Sequence, residues 1–120
     1  MREAVGPGMD LMVDAHTWWR MGDRSYKHDT VVDLAKEFAA LDVCWLEEPL
    51  DPHDHDAYRQ LHEQEILQLA SGEHERDEDG FLDLLNGPCV DFVQADVVVQ
   101  GGYAQARRLF PEIEKAQLKF

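Results

Sequence analysis

Val43-Cys44-Trp45-Leu46-Glu47-Glu48-Pro49 is the stretch on which the reading of this chain turns. Four largely apolar residues run straight into two carboxylates, and a proline then stops the run. A short apolar segment of that kind reads as a buried parallel strand. An acid at the tip of such a strand implies that something there favours negative charge.

The pattern recurs on both sides of it. Leu11-Met12-Val13 runs into Asp14, Ile66 to Ala70 leads through Ser71-Gly72 to Glu73, and Phe92-Val93-Gln94-Ala95 ends at Asp96. The steps between acids 14, 47, 73 and 96 are 33, 26 and 23 residues. A strand, a helix and two loops need about 30 residues, so each step fits one βα unit. Parallel strands put their C-terminal ends on one face, where such folds keep their chemistry. Four carboxylates converging there repel one another unless a cation joins them.

The connecting segments fit this plan. Strands are predicted at Asp10–Asp14, Val43–Leu46, Ile66–Ala70 and Val90–Gln94. Met1 to Met9, with its Gly6-Pro7-Gly8 turn cluster, reads as a loop or the tail of a helix. Asp29 or Thr30 suits the N-cap of a helix whose apolar residues Val31, Leu34, Ala35, Phe38 and Leu41 keep helical spacing. Asp51 to Asp56 can cap a second helix carrying Ala57, Tyr58 and Leu61. A third holds Phe81, Leu82, Leu84 and Leu85, with Gly87 suited to its C-terminal cap. Gly101-Gly102 opens a fourth with Tyr103, Ala106 and Leu109. Pro111 is expected to interrupt it, because proline cannot donate the backbone hydrogen bond, leaving the tail to restart or fray.

The order is β-α-β-α-β-α-β-α, all parallel. Right-handed crossovers make that either a small doubly wound sheet or an arc of a (β/α) barrel. The doubly wound alternative expects a glycine-rich phosphate loop after the first strand, and His16-Thr17-Trp18-Trp19 is not one. The predicted fold class is therefore α/β, a partial (β/α) TIM-type barrel of about four consecutive units.

Composition narrows the partners. An apolar fraction of 44% suffices for a core in a 120-residue chain, and no apolar run approaches the roughly 20 residues of a membrane span. With 25 acids against 11 Lys+Arg, net −14, no basic patch exists to neutralise phosphates; nucleic acid and anionic membrane are excluded as partners. Cys44 and Cys89 form no close-spaced metal motif and read as reduced thiols. With no signal-peptide pattern, they predict a cytoplasmic protein.

Asp14-Ala15-His16, Trp45-Leu46-Glu47-Glu48-Pro49, Ser71-Gly72-Glu73 and Asp91 to Asp96 followed by Gly101-Gly102 occur in one order and spacing. Together they resemble the barrel domain of the enolase superfamily, within it the mandelate racemase/muconate lactonizing enzyme group. The resemblance covers roughly Met1 to Phe110. It implies that Asp14, Glu47 and Glu73 are ligands of Mg²⁺ on the third, fourth and fifth barrel strands. It also implies that Asp96 is the sixth-strand aspartate that pairs with a histidine base. Three carboxylates are hard oxygen ligands suited to Mg²⁺, and the cation neutralises charge formed when a base removes the proton next to a substrate carboxylate.

His16 lies two residues beyond Asp14, so in an extended segment both side chains point the same way. A histidine there resembles the general acid of sugar-acid dehydratases, protonating the departing β-hydroxyl, and His74 beside Glu73 also resembles that group. The implied substrate is a small sugar acid, with a racemase or cycloisomerase of the same group as the alternative.

Plainer roles stand beside these. An acid after a strand often caps the following helix. Glu48 is expected to support its neighbour through hydrogen bonds, Trp18 and Trp19 to pack the loop, and His53-Asp54-His55-Asp56 to be a solvated cap. Cys44 is expected to fill core space.

Family members also carry an N-terminal capping domain, a Lys-x-Lys motif on the second strand and a histidine on the seventh. Residues 1–120 accordingly read as part of a barrel domain without those segments. An arc leaves two strand edges and one sheet face uncovered, which predicts homo-oligomers. Either the chain belongs to a Mg²⁺-dependent dehydratase or racemase, or it keeps the fold and ligand set without a competent base.

Overall fold

Four strands pair in the order in which they occur along the chain: β1 (Leu11–Asp14), β2 (Val43–Glu47), β3 (Gln68–Ser71) and β4 (Phe92–Val93). Every pairing is parallel. Between and around them lie α1 (Arg2–Val5), α2 (His28–Ala40), α3 (His55–His62), α4 (Glu78–Leu85) and α5 (Gly102–Lys115). The structure is a computed structural model that describes residues 1–18, 26–87 and 89–120; Trp19 lies outside the described residues. A strand order that never reverses, with a helix in every crossover, is a barrel arc and not a doubly wound sheet.

Register assigns the two faces. Val13 pairs with Leu46, Leu46 with Leu69, and Ser71 with Val93. Leu46, Leu69 and Val93 are buried with Val31 and Ala35 of α2, Tyr58 and Leu61 of α3, Phe81 and Leu84 of α4, and Leu109 and Ile113 of α5. Because side chains alternate along a strand, Met12, Asp14, Trp45, Glu47, Gln68, Ala70 and Phe92 fall on the other face, the one a closed barrel would enclose. Trp45 and Phe92 pack there with ring centroids 4.6 Å apart. Met12 remains 52% exposed.

Several boundaries differ from the sequence reading. Helix α2 begins at His28 with Lys27 as its N-cap, so Asp29 lies in the first turn and not at the cap; an acid there still favours the positive helix end. Strand β4 is only two residues long. Beside it the Asp91 carboxylate, rather than a backbone carbonyl, accepts from Leu69 N at 2.8 Å.

Pro111 does not interrupt α5, which continues to Lys115. The proline removes one donor, but Ala106, Leu109 and Ile113 form a continuous buried face across it, and that burial outweighs the lost bond. The tail neither restarts as a helix nor frays: Lys119 forms a parallel bridge to Phe92 and donates from its backbone to Asp91 O at 3.0 Å. Among the described residues, no helix is long and apolar enough to cross a membrane.

Candidate metal centre

The C-terminal tips of β1, β2 and β3 lie side by side, since Asp14 pairs with Glu47 and Glu47 with Ala70. Two tips turn sharply just beyond the strands. His16 and Glu48 both adopt left-handed backbone conformations, φ 42° and 41°, uncommon for residues with side chains and enriched at functional sites. Pro49 follows Glu48 and its carbonyl accepts from the Thr17 hydroxyl, which ties the first tip to the second. At the third tip Gly72 has φ +127°, and a Cβ there would meet the Gln94 backbone nitrogen at 3.2 Å. Only glycine lets the backbone just beyond β4 approach so closely.

These turns gather His16, Glu48, Glu73 and His74, whose candidate ligand atoms all lie within 4.8 Å of one another. Among the described residues this is the one such convergence of His, Cys, Asp and Glu. His16 Nε2 is 3.1 Å from Glu73 Oε1 and 3.5 Å from Glu48 Oε2, and its Nδ1 contacts Asp14 Oδ1. His74 Nδ1 is 2.9 Å from Glu48 Oε1 and 3.6 Å from Glu73 Oε1. Trp18 closes one side, its ring stacked on His16 and edge-on to His74 at 4.7 Å between centroids.

Electrostatics follow from this crowding. Glu48 has no exposed surface, and that burial pushes its carboxyl above the usual range against the pull of the His74 hydrogen bond. Burial disfavours charge on His16, but the hydrogen bond to Asp14 and the charges of Asp14, Glu48 and Glu73 outweigh it and raise the imidazole. Glu48 Oε2 is buried and has no hydrogen-bond donor. A carboxylate oxygen in that state is costly unless a cation completes it. With Glu73 it offers two carboxylates beside the imidazoles of His16 and His74, and carboxylate oxygens are the donors a divalent cation such as Mg²⁺ takes, so the residues present fit such an ion.

Of the residues expected from sequence, His16 and Glu73 enter the group of four, and Asp14 meets it through His16 Nδ1. Glu47 pairs with Asp14 in register but lies outside the group of four, its Oε2 accepting from Trp45 Nε1 at 3.4 Å. Asp96 is exposed and its Oδ1 accepts from Val98 N at 2.7 Å within a turn. Glu48, expected to brace Glu47, instead bonds His74. Asp54 does cap α3, accepting from Ala57 N, but His55 is not part of a solvated cap; it is buried between Glu75 and Asp83. Both cysteines are free, Cys89 buried and Cys44 half-buried.

Residues 1–120 match the family described as enolase C-terminal domain-like. The chain belongs to that family. Within it, the resemblance to the mandelate racemase/muconate lactonizing enzyme group is upheld by relatives. L-rhamnonate dehydratase of Saccharopolyspora erythraea is 36% identical over 107 residues, 88% of this chain and 26% of that protein. D-galactarolactone cycloisomerase of Agrobacterium fabrum is 29% identical over 109 residues, 91% of this chain and 27% of that protein. The crystal structure of L-talarate dehydratase from Polaromonas sp. JS666, complexed with Mg and L-glucarate, superimposes with a TM-score of 0.87. The pair are 26% identical, over 98% of this chain and 31% of that one. This enolase-family chain thus spans about a quarter of the length of the curated relatives it matches, and its four strands are an arc of their barrel.

Proposed function

We propose that these residues form the divalent-cation end of an acid-sugar dehydratase site, acting on a small carboxylate substrate next to which a proton is removed. The observation that carries this reading is the buried, donorless Glu48 Oε2 facing Glu73 and His16. Asp14, Glu47 and Glu73 are the proposed Mg²⁺ ligands on adjacent tips, with Glu48 completing the negative field. A bound Mg²⁺ would offset the charge that grows on the substrate carboxylate as the α-proton leaves.

His16 is the proposed general acid. Asp14 holds its Nδ1, which directs Nε2 into the centre, where it can release a proton to a departing β-hydroxyl. Trp18 shields both imidazoles on one side. Asp96 is proposed to orient a histidine base. Self-association through the uncovered sheet face and edges belongs to the same proposal.

Asp96, exposed and accepting from Val98 N within its own turn, favours a second reading, in which the site binds the cation without turnover. Calorimetry with Mg²⁺ on the wild type, Glu47→Gln and Glu73→Gln tests the site itself. No heat above the dilution blank in the wild type sinks the proposal. Proton exchange at the α-carbon of sugar acids in D₂O separates the two readings, because turnover requires exchange and binding alone does not.

A further inference from the structure

Glu75 follows two residues after Glu73 and is only 4% exposed. A carboxylate withdrawn from water needs partners, and its surroundings supply them. Glu75 Oε1 lies 2.8 Å from His55 Nε2, with His53 Nδ1 at 3.9 Å from the same oxygen. His55, 8% exposed, meets Asp83 Oδ2 at 2.5 Å through its other nitrogen, and Asp83 Oδ1 accepts from Arg59 Nη2 at 2.9 Å. The second oxygen, Glu75 Oε2, fills the space a side chain at position 80 would need: a Cβ on Gly80 would lie 2.1 Å from it. Glycine is a poorer helix former than alanine, and here it opens α4 to the carboxylate.

These contacts run from α3 and α4 into the loop that carries Glu73 and His74. The loop backbone is tied as well, since Glu75 N and Gln100 Nε2 both donate to Gly72 O, at 3.1 and 2.9 Å. Glu73 and Glu48 repel each other, so a loose loop would swing Glu73 outward.

We propose that Glu75, locked by His55 and Asp83 and seated against Gly80, is a positioning residue that holds Glu73 and His74 in the metal centre. It touches neither substrate nor cation and acts through the two residues before it. The inference rests on the cation reading above, yet its consequence for loop order exists without any metal.

The test uses the full chain, Mn²⁺ titrated by electron paramagnetic resonance, and the {¹H}–¹⁵N NOE of Gly72, Glu73 and His74 in metal-free protein. Glu75→Ala is expected to weaken Mn²⁺ binding about ten-fold and to lower all three NOEs. Glu75→Gln, which keeps an acceptor for His55, is expected to restore both. Ile113→Ala, a buried truncation in α5 that leaves a cavity, controls for lost stability and should leave both readouts near wild type. Gly80→Ala expels the carboxylate by contact and should mimic Glu75→Ala if the latter folds poorly. A wild type that binds no Mn²⁺ ends the cation reading while the NOEs still decide this one. Unchanged NOEs in Glu75→Ala and Gly80→Ala, or an equal loss of Mn²⁺ affinity in Ile113→Ala, overturn the positioning role.

Discussion

His74 Nδ1 lies 2.9 Å from Glu48 Oε1, and the carboxylate it meets has no exposed surface. A buried acid with one oxygen bonded to an imidazole and the other without a donor has opposite effects on folding and on cation binding. A buried polar atom without a hydrogen bond costs about 1–3 kcal/mol, a cost that His16 Nε2 at 3.5 Å offsets only in part. Glu48→Gln removes the charge and keeps an acceptor for His74. The metal-free variant is therefore expected to be more stable than wild type by about 1 kcal/mol, and its Mg²⁺ affinity to fall. Urea unfolding in EDTA and Mg²⁺ calorimetry give the two signs; a variant less stable in EDTA contradicts the assignment of strain to that oxygen.

The His55–Asp83 pair gives a pH dependence. Burial opposes the His55 charge, but the hydrogen bonds it donates to Asp83 and then Glu75 outweigh it, so its folded pKa is raised. A raised histidine stabilises fully below its unfolded value of about 6.5 and loses that contribution as pH rises through the folded value. Asp83 is lowered, chiefly by its hydrogen bond with His55; its contribution is present above about 3.9 and fades as pH falls through the folded value. His16 is also raised, so the useful quantity is a difference. Wild type minus His55→Gln stability is expected to decline from near pH 6.5 upward. A flat difference between pH 6 and 9 shows that the pair does not bind its proton more tightly when folded.

The strands and the order of the tips were legible because each apolar run ends in an acid at βα spacing, a pattern set by local chemistry. Asp14 and Glu73 at their tips were legible for the same reason, whereas His16 was expected from an extended segment and its backbone is left-handed, φ 42°. The inward place of Glu48 was not. Alternation puts Glu47 and Glu48 on different sides, but which enters the centre depends on the left-handed turn at Glu48, which the sequence marks only by Pro49. Pro111 misled because a local breaker rule met a buried helical face it could not override. His55 misled because four alternating His and Asp residues look solvated until α3 packs beside the Glu73 loop.

Self-association is expected from the uncovered face. Met12, Trp45 and Phe92 share it, Met12 is 52% exposed, and β1 forms an end of the sheet. Light scattering after size exclusion should give a multiple of 13.8 kDa. Met12→Lys, placing a charge at the strand's open side, should shift the population to monomer. A wild type that elutes as a 13.8 kDa monomer at high concentration removes this part of the proposal.

Gly80→Ala separates helix propensity from the Glu75 contact by sign. In a helix with free space, the change stabilises by about 1 kcal/mol through propensity alone. Here the new Cβ would stand 2.1 Å from Glu75 Oε2, so the carboxylate must leave a site where His55 holds it. The single variant is expected to lose about 1–3 kcal/mol, the scale of overpacking in a tight interior. In a Glu75→Ala background the obstacle is gone and the same change should gain stability. A double-mutant cycle by urea unfolding therefore predicts a coupling of about 2–4 kcal/mol between positions 75 and 80. Additive effects would place the Glu75 side chain away from Gly80 and detach α4 from the metal centre.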